Sequence, residues 1–137
     1  MDMTYSIQGG DFVRAGQASS SLKKVLKSLN LDPALIRRTV VALYEAEVNV
    51  VAHAWAGQIQ VTISPEQIRI FVKDSGPGIA NIDLAMQRGF STASPTVREM
   101  GFGAGMGLPN MKENSDVLNL RSECGVGTEV EIINNLR

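Results

Sequence analysis

Four clusters of residues in this chain have types and spacing suited to chemistry. Glu45, Asn49 and His53 recur every four residues, which on a helix puts an acid, an amide and an imidazole in one stripe. Val41, Leu43, Val48, Val50 and Val51 surround them. The stripe is therefore either a solvated face or a buried set that must find partners. Asp74-Ser75-Gly76-Pro77-Gly78 follows an apolar run. A carboxylate at a strand end can accept from a ligand amine, and glycines let a flat ring approach the backbone. Read alone, the same residues also make an ordinary turn with a capping aspartate.

Gly101-Phe102-Gly103-Ala104-Gly105-Met106-Gly107-Leu108 places glycine at every second position before a helix. Backbone amides and a helix start can face phosphate oxygens there without side-chain obstruction. No Gly-Lys-Ser/Thr follows, so it is not a Walker A loop, and the G-x-G-x-x-G register is absent. A hinge would carry the entropic cost of four glycines to less purpose. Gly125-Val126-Gly127-Thr128-Glu129 reads by itself as a hairpin turn.

The elements that must position these residues follow from periodicity. Residues 4–8 alternate weakly, as an edge strand does. Residues 13–30 are helical, with Leu22, Val25, Leu26 and Leu29 on one stripe and Lys23, Lys24 and Lys27 off it. Asp32-Pro33 supplies a capping carboxylate and a first-turn proline for a helix over 33–54. Residues 58–63 and 68–72 are rich in β-branched side chains and flank a Ser64-Pro65-Glu66-Gln67 turn, so they predict a hairpin. A short helix near 82–88, a long glycine-rich loop, a helix over 108–114 and strands at 117–123 and 128–133 complete the chain. The fold class is α+β: a two-layer sandwich with a mixed, mostly antiparallel sheet of about five strands and helices on one face.

At 137 residues the chain is one domain, residues 1–137. Hydrophobic residues are 44% and charged residues 20%, the balance of a folded chain. Thirteen basic against fourteen acidic residues argue against nucleic acid as a direct partner. The single cysteine, Cys124, excludes an intrachain disulfide and a cysteine metal cluster. With no basic-then-apolar N-terminal segment and no apolar run of membrane-span length, the expectation is a cytoplasmic protein without a membrane partner.

Taken in order, the four clusters resemble the ATP-binding fold shared by gyrase, the Hsp90 chaperones, histidine kinases and MutL, the GHKL or Bergerat fold. Glu45 to Asn49 matches the N box. Asp74-x-Gly76-x-Gly78 matches the first glycine box, Gly103-x-Gly105-x-Gly107 the second, and Gly127-Thr128 the closing element. The resemblance runs from about Pro33 onward. The short length, and Gly105-Met106-Gly107-Leu108-Pro109 after Gly89-Phe90-Ser91-Thr92, look most like the small bacterial serine-protein kinases and anti-sigma factors of the stressosome switch-kinase branch. Residues 93–102 form a longer lid segment than that branch carries.

The resemblance implies ATP and Mg²⁺ as cofactors. It implies nucleotide contacts from Asn49, Asp74, Gly76, Gly78, Gly103, Gly105, Gly107, Leu108 and Thr128, with Asp74 on the adenine amino group and Thr128 beside it. It makes Asn49 the magnesium ligand and Glu45 the catalytic base. Arg88 or Arg98 would approach the γ-phosphate from a lid over 89–105, mobile without nucleotide. His53 would pack in the core. The implied activity is serine/threonine protein kinase and anti-sigma factor, with a STAS-domain antagonist as substrate. A sigma factor or phosphatase is a possible second partner, and a homodimer through the N-terminal region stays open. The alternative is a nucleotide-gated binding switch without transfer activity.

Overall fold

In the computed structural model, residues 1–79, 81–87 and 107–136 are described. The elements run β1 (Asp2–Gln8), α1 (Gln17–Ser28), α2 (Pro33–His53), β2 (Ala56–Ile63), β3 (Gln67–Ser75), α3 (Ile82–Ala85), α4 (Gly107–Glu113), β4 (Val117–Glu123) and β5 (Gly127–Asn135). The sheet order is β1-β2-β3-β5-β4. Each neighbouring pair is antiparallel, so the sheet is more uniform than the mixed arrangement expected. The α+β two-layer class holds.

Side chains alternate across the sheet, as strand geometry requires. Ile59, Val61, Ile68, Ile70, Val72, Val130 and Ile132 face inward and are buried. Leu22 and Leu26 of α1, Leu43 and Val50 of α2, and Met111 of α4 pack in the same core. The opposite face is polar, with Arg69 paired to Glu131 at 2.6 Å. Lys23, Lys24 and Lys27 are exposed, as their offset from the apolar stripe predicts.

Two helix starts differ from sequence expectation in cause. α2 begins at Pro33, but the Asp32 carboxylate makes no capping hydrogen bond. Its start rests on the proline, whose missing N–H costs nothing there. α1 begins at Gln17, four residues later than its periodicity predicts, after Gly16 in the left-handed region at φ 97°. Its cap is tertiary. The buried Glu47 carboxylate of α2 accepts from Gly16 N–H at 2.9 Å, Ala18 N–H at 3.1 Å, Ser19 N–H at 3.1 Å and Ser19 Oγ–H at 2.7 Å. Four donors on one carboxylate compensate its burial and lock α1 against α2.

A second buried polar centre joins α2, α4 and the sheet. Asn134 is fully buried and donates to Thr39 Oγ1 at 3.0 Å and to the Asn114 carbonyl at 3.1 Å. It accepts from Asp116 N–H at 2.8 Å. Among the described residues, no helix is long and apolar enough to cross a membrane.

Candidate functional site

Asp74 is the penultimate residue of β3, half-buried on the inner face of the sheet. β5 reaches it through glycine. A Cβ on Gly127 would overlap the Asp74 carbonyl oxygen, so only glycine lets the strands close here. The next residue, Thr128, then donates its backbone N–H to Asp74 Oδ1 at 3.0 Å. Burial pushes the Asp74 carboxyl above its ordinary value, while the Thr128 N–H pulls it down. Gly78 turns the chain at φ 78°, and a Cβ there would lie 2.5 Å from the Glu123 carbonyl oxygen. The first glycine box is thus pressed against the β4–β5 turn, and Gly125 N–H donates to the Pro77 carbonyl at 2.8 Å.

A recess of about 340 Å³ at these strand ends is lined by Lys73, Arg121, Glu123 and Glu129 as well as by Asp74, Ser122, Gly127 and Thr128. The cross-strand row Lys73–Glu129–Arg121 places it on the outer face of the sheet, opposite the side on which the Asp74 carboxylate meets α2. Cys124 is exposed in the neighbouring turn.

α2 passes over this end of the sheet. A Cβ on Gly57 would touch the Val50 side chain and lie 3.4 Å from Asp74 Cβ, so Asp74 sits under the Val50 turn. Asn49 immediately precedes Val50. Glu45 is one turn further back, about 6 Å along the axis. It faces α4: Asn110 Nδ2 donates to Glu45 Oε1 at 3.4 Å, and a Cβ on Gly107 would lie 3.5 Å from Oε2. Burial raises the Glu45 carboxyl above its ordinary value, against the lowering effect of Asn110. One helix therefore runs from Asp74 to the first residue of α4.

Glu45, Asn49 and His53 are all half-buried, between the two alternatives read from the sequence. Burial lowers the His53 pKa, which favours neutral imidazole. Among the described residues no hydrogen bond occupies the Asn49 carboxamide, so its oxygen is available to a ligand. No group of three or more His, Cys, Asp or Glu side chains among those residues could hold a metal by itself. One amide oxygen fits an ion that prefers oxygen ligands and keeps phosphates and waters in its shell, as Mg²⁺ does.

Asp74, Gly76, Gly78 and Thr128 thus come together at one end. Glu45 and Gly107 come together at the other. Leu108 is 6% exposed and packs in the core with Met111, so what it can offer a ligand is its backbone. Gly103, Gly105, Arg88, Arg98 and the lid over 89–105 lie outside the described residues. Sequence reasoning passed over Glu47 and Ser122. Glu47 was detectable: it stands four residues after Leu43 and four before Val51, both buried, so it lies on the apolar stripe. A lone serine on an alternating strand gives no comparable signal.

The profile of histidine kinase-, DNA gyrase B- and HSP90-like ATPases matches residues 35–136. The chain is 34% identical over 131 residues to serine/threonine-protein kinase RsbT of Bacillus subtilis, covering 93% of this chain and 90% of that protein. It is 31% identical over 114 residues to anti-sigma F factor of Anoxybacillus flavithermus, covering 77% and 75%. Against anti-sigma F factor of a Thermoanaerobacter species the identity is 32% over 131 residues, covering 89% and 88%. With a profile match across most of its length and relatives aligned nearly end to end, the chain belongs to the histidine kinase-, gyrase B- and HSP90-like ATPase family.

Proposed function

We propose that this protein is an ATP- and Mg²⁺-dependent serine/threonine protein kinase that acts as an anti-sigma regulatory factor. Its substrate is a serine or threonine on a STAS-domain antagonist. The observation that carries the reading is the disposition of two half-buried carboxylates, Glu45 on α2 and Asp74 on β3 beneath it. Asp74 is fastened to Thr128, and Glu45 faces the start of α4. The likeness to a serine/threonine kinase over 93% of the chain supports transfer, and the likeness to anti-sigma F factors supports the regulatory role.

Each residue has a physical task in this reading. Asp74 accepts from the exocyclic amino group of adenine, and Thr128 lies beside it. Gly76 and Gly78 let the base approach the backbone. The second glycine box, Gly103, Gly105 and Gly107, follows the phosphates. Asn49 supplies an oxygen to Mg²⁺, which when bound neutralises phosphate charge. Glu45 accepts the proton of the incoming hydroxyl, a task suited to a carboxylate whose pKa burial has raised. A protein that only bound nucleotide would have no use for such a base.

The test is Glu45→Ala with radiolabelled ATP and a purified STAS-domain protein. ATP binding survives and acid-stable phosphoserine or phosphothreonine no longer forms. If the partner is released as fast as by wild type, the kinase reading fails and the nucleotide-gated switch replaces it.

A further inference from the structure

Ser122 lies on the inner face of β4, directly across from Thr128 in the strand register. Its hydroxyl has three neighbours. Ile79 N–H donates to Ser122 Oγ at 2.7 Å. The Gly127 carbonyl lies 3.1 Å away and can only accept. Thr128 Oγ1 lies 3.0 Å away, where either hydroxyl is able to donate. A serine hydroxyl has one proton and two lone pairs. If that proton goes to the Gly127 carbonyl, one lone pair takes the Ile79 N–H and the other remains for Thr128. All three contacts are then satisfied only if Thr128 donates its own proton to Ser122.

The consequence appears on the other side of Thr128. With its proton committed, Thr128 Oγ1 offers lone pairs alone on the inner face, where the Thr128 backbone N–H holds Asp74. Asp74 Oδ1 is occupied by the Thr128 N–H, which leaves Oδ2 as a further acceptor. We infer that Ser122 fixes the Thr128 hydroxyl as an acceptor and so sets the inner-face site beside Asp74 to select a base with an amino group over one with a carbonyl at that position. This rests on the proposed nucleotide site and adds a specificity residue to it. Ser122 is a positioning residue, acting through Thr128 without touching the base.

The experiment measures ADP and GDP affinity by calorimetry for wild type, Ser122→Ala, Ser122→Thr, Thr128→Val and the Ser122→Ala/Thr128→Val double variant. Wild type prefers ADP. Ser122→Ala frees the Thr128 proton to face a guanine carbonyl or its bridging water, and the ADP-to-GDP ratio narrows about tenfold, the worth of one hydrogen bond. Ser122→Thr retains a hydroxyl and restores the ratio. In the Thr128→Val background, Ser122→Ala leaves the ratio where it stands. Circular dichroism of each variant without nucleotide confirms folding, and the ratio is read within each variant, so a general weakening cancels. Equal loss of ADP and GDP binding in Ser122→Ala, with the ratio kept, overturns the inference and leaves the nucleotide site intact. Wild-type protein that binds neither nucleotide overturns the site itself, and the inference with it.

Discussion

Replacing Glu47 by glutamine tests the frame that holds α2 in place. The carboxylate accepts four hydrogen bonds, two on each oxygen: Gly16 and Ala18 N–H on Oε2, and the Ser19 N–H and hydroxyl on Oε1. Hydrogen bonds to a charged group contribute about 1.5–3 kcal/mol each when taken singly. Four of those would rival the whole stability of a domain, about 5–15 kcal/mol, so they cannot add. Glutamine keeps one acceptor oxygen, and the better flip leaves it to Gly16 and Ala18 and turns the NH₂ group towards Ser19, whose hydroxyl can rotate to accept from it. The cost is that of stranding the buried Ser19 N–H and losing the charge on the remaining bonds, about 2–3 kcal/mol. Ser19→Ala removes only the hydroxyl bond and costs about 1 kcal/mol. Urea unfolding followed at the helical dichroism band gives both values, with the denaturant slope unchanged if the transition stays two-state. A Glu47→Gln variant within 1 kcal/mol of wild type, or one no worse than Ser19→Ala, would show that the carboxylate is not what anchors α1.

Asp74→Asn keeps an acceptor for the Thr128 N–H but places an NH₂ group where the adenine amino group donates. Calorimetry should show ATP binding weakened by about 1.5–3 kcal/mol, with unchanged affinity counting against the adenine assignment. The pH dependence of phosphate transfer should have an acid limb set by Glu45, which must be ionised to accept a proton. Asn110→Ala removes the bond that favours the ionised form and moves that limb to higher pH. An unmoved limb would separate Glu45 from the chemistry. Asn134→Leu removes the donor to the Thr39 hydroxyl and the Asn114 carbonyl, while the Asp116 N–H keeps the Ile133 carbonyl, and should cost about 1–3 kcal/mol in denaturant unfolding. The Asn135 N–H, and then Arg38, hold the Asp116 carboxyl below its ordinary value. Its stabilisation is therefore full above the unfolded pKa and is lost as pH falls through the folded one. Stability measured at several acid pH values should fall less with pH in Asp116→Asn than in wild type.

The parts of this fold legible in the sequence are those governed by local pattern. The alternation of β4 marks residues 117–123, the bounds the strand has. Asp32-Pro33 marks the start of α2, although the proline alone accounts for it. β2 and β3 each extend beyond their β-branched cores, because pairing with neighbours recruits Ala56, Gly57, Lys73 and Asp74 into the ladder. The start of α1 was illegible for a different reason. Its cap comes from Glu47, about 30 residues away, and no local period reports a tertiary partner. The site divides in the same way. Asp74 and Thr128 stand out because glycines must surround them where strands crowd, a requirement visible in one dimension. Ser122 acts through a hydroxyl network that exists only once β3, β4 and β5 lie side by side.

The central claim is tested most directly by titrating nitrogen-15-labelled protein with ATP and Mg²⁺ and following the backbone amides by NMR. Saturable shifts should concentrate at Gly76, Gly78, Gly127 and Thr128 at one end of α2 and at Gly107 at the other, and Asp74→Asn should weaken both groups together at the same nucleotide concentration. A spectrum unmoved at millimolar nucleotide, or shifts confined to the polar outer face of the sheet, would contradict it.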